Sequence, residues 1–211
     1  MFDKFGEFNS CEELNRAAAA QMREGDTEAV YLLAEENGID REDAEDFLSG
    51  LVKELASPLT AAFGKLAVEE KALCPYGIME DWLEYIRMRC MESEEMALAV
   101  RQKGRSLKGC MAALVLWSFK NARPVDKEIL SRAGIAYNVT LGIPGMGQAK
   151  QIITEYYLHG VDGTDDADNA GGKGKGKNAG GRKQPGGRKV QKKAKTQETG
   201  EREGGNGDAG V

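Results

Sequence analysis

The stretch SLKGCMAALVLWSFK, residues 106–120, is a strongly apolar helix signal near the middle of a 211-residue chain. Ser106 is a typical helix N-cap residue. The apolar residues that follow recur every three to four positions, as they do on a helix whose surface is covered by neighbours; they are Leu107, Cys110, Met111, Leu114, Val115 and Trp117. We therefore predict that this helix is the most buried one of its domain.

Six more helices are predicted upstream of residue 106. In the first, Ser10 followed by Glu13 forms a capping box at the start, and Gly25 ends the helix. The others are predicted from apolar residues at helical spacing, with start or stop signals such as Asp40, Pro58 and the Asn37-Gly38 pair at some of their ends. They cover residues 27–37, 40–57, a stretch starting at 58, 78–90, and a shorter stretch after 93.

The third and fourth of these helices are predicted in most detail. The third begins at the cap Asp40, and its apolar face continues through Leu51, Val52 and Leu55 to the Ser-Pro pair at residues 57–58. The fourth has Pro at its first position and places Leu59 on its inward face, although Gly64 weakens the helical signal.

Two helices are predicted downstream of residue 120. Val125 precedes the cap Asp126 and Leu130 lies four residues beyond it, which is the pattern of a hydrophobic staple on a short helix ending at Gly134. The last helix is predicted over residues 148–158.

The segment AYNVTLGIPGMG, residues 136–147, lacks helical spacing. Its residues 139–143 favour a short strand, but no second strand is visible in the sequence as a partner. The fold class is therefore predicted to be all-α, a compact orthogonal helical bundle of seven to nine helices over residues 1–163, with a disordered basic C-terminal tail over 164–211.

Charge is distributed very unevenly along the chain, whose formal net charge is -5. Residues 1–100 hold 23 acidic and 9 basic side chains, whereas residues 101–163 hold 4 acidic and 9 basic ones. The tail has almost no apolar residue larger than alanine, so burial of apolar side chains cannot offset the entropy lost on ordering the tail.

The four cysteines show no C-x-x-C pair, and no apolar run suits a leader or a membrane span. We expect a soluble, reduced, intracellular protein with no cofactor and no metal.

The tail contains ten basic residues and no acidic one between positions 171 and 197. A flexible cationic segment attracts nucleic-acid phosphates in a salt-sensitive, sequence-independent way. We therefore predict that the tail is an electrostatic tether to DNA or RNA; the alternatives are that it folds back on the acidic half of the chain or merely keeps the protein soluble. Its candidate nucleic-acid-binding residues are Lys173, Lys175, Lys177, Arg182, Lys183, Arg188, Lys189, Lys192, Lys193 and Lys195.

A second basic segment, RQKGRSLKG at residues 101–109, lies at the start of the helix predicted from Ser106. The dipole at a helix N-terminus favours an anion, and basic side chains there suit contact with nucleic-acid phosphates or an acidic partner. The simpler alternative is a solvated basic turn. The candidate nucleic-acid-binding residues of this segment are Arg101, Lys103, Arg105 and Lys108.

The sequence EENGIDREDAEDF, residues 35–47, is strongly acidic, in contrast to the basic segment 101–109. Acids near a helix N-terminus are favoured in any case, so capping and solvation account for part of this cluster. The sharper hypothesis is a surface that mimics nucleic acid and occupies a basic channel of a partner. The candidate partner-binding residues are Glu35, Glu36, Asp40, Glu42, Asp43, Glu45 and Asp46.

Three weaker signals lie in the last third of the chain. The glycine-rich stretch GIPGMG, residues 142–147, precedes a helix but has the spacing of neither common nucleotide-binding motif, so it is more simply a tight connection. Tyr156 and Tyr157 are adjacent on a helix, which predicts one packed and one exposed ring. His159 has no serine or cysteine partner in a recognisable motif, and we predict that the protein is not an enzyme.

Three parts of the chain resemble small helical proteins carried on mobile elements of gut Clostridia and their relatives. They are residues 1–40, the block SLKGCMAALVLWSFKNARPVDKEIL and the ending VTLGIPGMGQAKQIITEYYLHG. Some of these resemble type II anti-CRISPR proteins, which inhibit the RNA-guided Cas nuclease. The resemblance covers about residues 1–160 and does not include the basic tail. It implies binding to a type II CRISPR-Cas effector nuclease, together with contact to DNA or guide RNA.

Two rival functions belong to other classes. One is a nucleic-acid-binding accessory protein of a phage or conjugative element that does not contact a Cas nuclease. The other is a small RNA-degrading or RNA-modifying enzyme whose site has no recognisable motif. Stable, stoichiometric association with the nuclease separates the anti-CRISPR function from the accessory function. Alanine substitution of a single acidic residue that abolishes turnover would favour the enzyme.

Overall fold

Helix caps and glycines set most of the element boundaries in this computed structural model, which describes residues 4–160. The described residues contain nine α-helices, so the predicted all-α class is confirmed. The helices are α1 Cys11–Glu24, α2 Thr27–Glu36, α3 Arg41–Ser49, α4 Pro58–Leu73, α5 Ile78–Glu92, α6 Glu94–Arg101, α7 Leu107–Lys120, α8 Lys127–Arg132 and α9 Met146–Thr154. A π-helical turn, Glu155–His159, continues α9, and two short strands are β1 Arg123–Pro124 and β2 Thr140–Leu141. The predicted disordered tail, 164–211, lies outside the described residues.

Serine side chains cap several of the helices as predicted. The hydroxyl of Ser10 accepts a hydrogen bond from the amide of Glu13, and Ser106 does the same for Gly109. The reciprocal half of the predicted capping box differs, because the carboxylate of Glu13 accepts from the amide of Asn9 rather than from that of Ser10. Gly25 ends α1 in the left-handed region, as expected for a glycine C-cap.

The predicted extent of α3 is wrong. Gly50 adopts a left-handed conformation with φ 78° and ends the helix at Ser49, well before the predicted end at the Ser-Pro pair. The chain therefore leaves the helical path, and Leu51 is 74% exposed instead of continuing the apolar face. Leu55 is still buried, but from the loop that leads to α4. The predicted inward position of Leu59 is also wrong, since this side chain lies on the exposed side of α4.

Two hydrophobic clusters form the core, and α4 contributes to both. Leu66 of α4 packs with residues of α5, α6, α7, α9 and the π-turn, whereas Ala61 packs with residues of α1, α2 and α3. The prediction that α7 is the most buried helix is wrong. Five of the eight residues of α6 are buried, against five of the fourteen of α7, because α6 packs along α4 while one side of α7 stays accessible.

The predicted strand near residue 140 does have a partner. β2 pairs antiparallel with β1, with Arg123 opposite Leu141 and Pro124 opposite Thr140. The sequence hid this partner because it is only two residues long and contains a proline. The last helix begins two residues earlier than predicted and ends in the π-turn.

Gly38 and Gly64 are in direct backbone contact, which holds the α2–α3 turn against α4. A Cβ atom on Gly64 would collide with the carbonyl oxygen of Asn37, and one on Gly38 would collide with the carbonyl of Gly64. Gly38 also has φ 66°, a conformation that other residues rarely adopt. The glycine that weakened the helical signal of α4 is therefore required by close packing.

Substitution of Gly64 by alanine tests this contact. We expect Gly64→Ala to lower the free energy of unfolding by about 1–3 kcal/mol, because the added methyl group has no space. Gly147→Ala is the matched control: Gly147 is also helical, but a methyl group added to it would meet no atom within 4 Å. This control should raise stability by about 0.5–1 kcal/mol through helix propensity alone. Urea unfolding of both variants gives the comparison, and equal stability of the two would contradict the packing argument.

Candidate functional site

The acidic residues singled out in the sequence lie along the end of α2, the α2–α3 turn and α3. We call this set, Glu35, Glu36, Asp40, Glu42, Asp43, Glu45 and Asp46, the acidic surface. Its members divide by what they contact within the described residues. Glu36 accepts hydrogen bonds from the amides of Lys4 (2.7 Å) and Phe5 (3.1 Å), so its carboxylate holds the N-terminal segment.

Three members of the acidic surface present their side chains to solvent without such contacts. Glu35, Asp40 and Glu42 are exposed, and no hydrogen bond or ion pair engages their side chains within residues 4–160. Asp40 is the N-cap residue of α3, yet its side chain makes no capping hydrogen bond. Glu45 differs, because it pairs with Arg41 at 3.1 Å. The solvent-facing carboxylates therefore cluster at the turn and the first residues of α3.

The turn that carries these carboxylates is anchored from inside the protein. Asn37 is buried and its side-chain amide donates to the carbonyl of Leu33 at 2.8 Å, while its side-chain oxygen accepts from Arg101 at 2.9 Å. Ile39 is buried on the other side of Gly38. Together with the contact between Gly38 and Gly64, these interactions give the acidic surface a fixed backbone.

A groove of about 550 Å³ runs beside this turn, between α2 and α4. Its walls combine acidic groups, Glu28, Glu35 and Asp40, with the basic residues Arg41 and Lys71. The guanidinium of Arg41 lies 4.3 Å from the ring centroid of Tyr31, which holds it against one wall. The groove therefore borders the acidic surface, and Glu35 and Asp40 belong to both.

The basic segment 101–108 is much less available than predicted. The assignment of Arg101 as a nucleic-acid contact is wrong, because this side chain is completely buried. Its guanidinium donates to the side-chain oxygen of Asn37 and to the carbonyl of Phe8 at 3.4 Å. Burial lowers the pKa of Arg101, since desolvation disfavours its charged form.

The N-terminus of α7, which was predicted to attract a phosphate, is satisfied from within the protein. The amide of Leu107 donates to the carboxylate of Glu69 at 2.8 Å, and that of Ser106 donates to the hydroxyl of Tyr156 at 3.1 Å. A buried glutamate thus already takes the position that a bound anion would favour. This leaves little of the helix end for an external phosphate.

Lys65 of α4 is the second buried cation of this region. Its ammonium group has three N–H donors and lies within hydrogen-bonding distance of three oxygens: the carbonyls of Gln102 (2.6 Å) and Arg105 (3.1 Å) and the carboxylate of Glu7 (3.0 Å). Burial lowers the pKa of Lys65 and raises the pKa of Glu69, whose carboxylate lies 3.9 Å away. Both shifts are opposed by the attraction between the two groups.

The sequence analysis did not predict the network of buried Asn37, Lys65, Glu69 and Arg101, which the half-buried Glu7 completes. The one available signal was a lysine and a glutamate four residues apart on an otherwise apolar face of α4. Charged residues are almost never fully buried unless they are paired, so the default expectation for each was exposure.

Lys103 and Lys108 are the exposed members of the predicted basic segment. Arg105 is half-buried, and its guanidinium carbon lies 5.8 Å from the ring centroid of Tyr156. The predicted binding residues of the tail, from Lys173 to Lys195, lie outside the described residues. The positive surface that the described residues offer near the start of α7 is therefore small.

The remaining sequence signals have structural roles. Both Tyr156 and Tyr157 are buried and pack edge to face with ring centroids 5.0 Å apart, so the prediction that one ring is exposed is wrong. The π-turn changes the angular offset between neighbouring residues from that of an α-helix. Gly142 lies against the carbonyl of Ser118, which fits its interpretation as part of a tight connection.

The four cysteines are free thiols. Cys11, Cys90 and Cys110 are buried, and burial raises the pKa of Cys90 to about 12 and that of Cys110 still further. Cys74 is exposed. Among residues 4–160, no group of three or more His, Cys, Asp or Glu side chains is arranged to hold a metal ion.

Comparisons with known proteins add no family to this description. No protein-family model matches the chain, and searches of the curated proteins and of the solved structures return no match either. None of the helices in the described part of the chain is long and apolar enough to cross a membrane.

The different roles of the buried Arg101 and the exposed Lys103 can be tested by comparing the stability of two alanine variants. We expect Arg101→Ala to lower the free energy of unfolding by about 3 kcal/mol, because it leaves the Asn37 oxygen and nearby carboxylates without their buried partner. Lys103→Ala, two residues away and exposed, should change it by less than about 0.5 kcal/mol. Urea denaturation measures both, and a neutral Arg101→Ala would contradict a structural role for this buried guanidinium.

Proposed function

We propose that this protein is an anti-CRISPR protein that inhibits a type II CRISPR-Cas effector nuclease by binding it and preventing target DNA binding or cleavage. The observation that carries the proposal is the set of exposed carboxylates at the end of α2, the α2–α3 turn and the start of α3 that have no partner within residues 4–160. Glu35, Asp40 and Glu42 project from a backbone that is fixed on its inner side. The resemblance over residues 1–160 supplies the class of partner.

Rigidity of the acidic surface supports a binding role. A surface whose backbone is already ordered loses less conformational entropy when it binds a partner. Here the Asn37 side chain and the two glycines order the turn before any partner arrives. The carboxylates are therefore presented as a fixed array.

Charge supports the proposed partner. An RNA-guided effector nuclease holds its guide–target heteroduplex in a positively charged channel and recognises mainly its backbone. A fixed array of carboxylates can occupy such a channel in place of phosphates. The excess of acids in residues 1–100 also favours fast electrostatic association with a positively charged partner. In this proposal the protein acts by binding and carries out no chemistry.

A charge-neutralising triple variant tests the acidic surface. We expect E35Q/D40N/E42Q to raise the concentration needed for half-maximal inhibition of DNA cleavage by about 10-fold or more, since each lost ion pair weakens binding by several tenths of a kcal/mol or more. The measurement is a cleavage assay with purified effector nuclease, guide RNA and target DNA.

The matched control is E24Q/E94Q/E95Q, which removes the same formal charge from exposed acids outside the acidic surface. It should inhibit nearly as well as the unmodified protein. Equal loss in both variants would mean that only total charge matters. Unchanged inhibition by the acidic-surface variant would contradict the proposed contact.

A nucleic-acid-binding accessory protein of a phage or conjugative element is the second candidate. The exposed side chains of Lys103 and Lys108 favour it, as does the run of basic residues between positions 171 and 197. Contacts of this kind give affinity that falls steeply with salt and is independent of sequence.

Truncation after Gly163 distinguishes the two candidates. If the acidic surface carries the function, we expect the truncated protein to inhibit the nuclease as the full chain does, while DNA binding of the full chain weakens as salt rises. Cleavage and DNA-binding assays over a range of salt concentrations measure both properties. Loss of inhibition on truncation would make the tail the anchor, and failure of both forms to inhibit, with salt-dependent DNA binding, would favour the accessory function.

A further inference from the structure

Helix α5 has a second face that is mostly exposed; of its residues, only Tyr85 is partly buried against the core. Trp82, Leu83, Ile86 and Cys90 are buried on one side of this helix. The opposite side carries Asp81, Glu84, Tyr85, Met88 and Met91, whose spacing of three and four residues places them on one continuous stripe. This stripe is separate from the acidic surface, which lies on α2 and α3.

The stripe lines one wall of a groove of about 410 Å³ between α5 and α9. Met146 and Lys150 of α9 form the other wall. The ammonium of Lys150 lies 5.0 Å from the ring centroid of Tyr85, which ties the two walls together at that point. The groove therefore has a helix on each side, and Tyr85 and Lys150 are in contact across it.

Three methionines give this groove exposed apolar surface. Met88 is 39% exposed, Met91 59% and Met146 43%. Methionine is unbranched and polarisable, so clusters of it adapt to different apolar partners and recur on protein surfaces that bind helices. An exposed cluster of large apolar side chains in one concave site is unusual for a surface without a partner.

One end of the stripe is acidic. Asp81 is exposed and forms no ion pair within residues 4–160, and Glu84 is exposed with a single contact to Arg87 at 3.8 Å. Asp81 and Met88 are seven residues apart, which corresponds to two helical turns or about 10 Å. The groove lining thus combines exposed methionines with two carboxylates and one ammonium group, that of Lys150, so one negative charge remains in excess.

We propose that this groove docks a basic amphipathic helix of a partner protein. An apolar face of the partner helix packs on Met88, Met91 and Met146, and a lysine or arginine about two turns away on the same face pairs with Asp81 and Glu84. A helix fits better than a strand because the groove lies between two helices and has no strand edge to extend. Asp81 to Met91 spans about 15 Å, which matches three turns of a bound helix.

The proposal does not depend on the nuclease, because it concerns another face and its probe is a synthetic peptide. The probe is a fluorescent helical peptide of alanine, leucine and lysine, long enough for about four turns, with leucines on one face and lysines two turns away on that face. The control peptide has the same composition and charge, with the leucines distributed around the helix. Fluorescence anisotropy measures binding to the full-length protein.

Neutral substitutions test the apolar wall without altering charge. We expect M88Q/M91Q to weaken binding of the amphipathic peptide by about 10-fold, because polar amides replace the apolar contacts of two methionines. M22Q is the matched control, since Met22 of α1 is also 39% exposed but lies outside the groove. D81N should weaken binding by a smaller factor and reduce its dependence on salt.

Preferential binding of the amphipathic peptide, lost in M88Q/M91Q and kept in M22Q, supports the proposal. Equal binding of both peptides, or binding that M88Q/M91Q leaves unchanged, overturns it. Sedimentation velocity of the full chain tests another occupant: self-association that M88Q/M91Q abolishes would assign the groove to a second copy and also overturn the proposal. If thermal melting shows that the double variant does not fold, M91Q alone replaces it, because Met91 is the more exposed of the two.

Discussion

Two buried cations, Lys65 and Arg101, constrain much of this structure. A charge removed from water has to be surrounded by oxygens, or its desolvation destabilises the fold. Here those oxygens come from segments far apart in sequence: Glu7 and Phe8 before α1, Asn37 at the end of α2, and the α6–α7 connection at Gln102 and Arg105. Satisfying the two cations therefore fixes the relative positions of both hydrophobic clusters and of the N-terminal segment.

The acidic surface depends on the same network. Asn37 connects it to Arg101, and Glu36 of the surface itself holds the backbone of Lys4 and Phe5. The turn between α2 and α3 is then closed against α4 by the glycine contact. As a result, the buried hydrogen bond between Arg101 and Asn37 helps to position the solvent-exposed carboxylates of the acidic surface. The same arrangement explains why Glu36 of the acidic surface has a structural role, whereas Glu35, Asp40 and Glu42 remain exposed to solvent.

Two surfaces of the described residues differ in the kind of partner that they suit. The α2–α3 turn and the helix ends beside it present carboxylates without partners among residues 4–160, which suits a positively charged channel or groove. The stripe on α5 combines methionines with fewer acids, which suits a helix that is both apolar and basic. Both surfaces favour positively charged partners, in agreement with the acidic excess of residues 1–100. The exposed positive side chains of segment 101–108 are reduced to Lys103 and Lys108, because Arg101 is internal and Arg105 packs beside Tyr156.

Local sequence determined where most helices begin, because caps such as Ser10, Ser57, Ser93 and Ser106 act on amides only two or three residues away. It also determined the helical class, since apolar spacing is a property of single segments. Tertiary structure decided the rest. Arg101 and Lys65 look like surface residues in the sequence, yet both cations are buried and donate hydrogen bonds to oxygens from distant segments. No local pattern contains the carbonyl of Phe8 or the side chain of Asn37 that makes burial of Arg101 possible, because these groups meet only after the chain has folded.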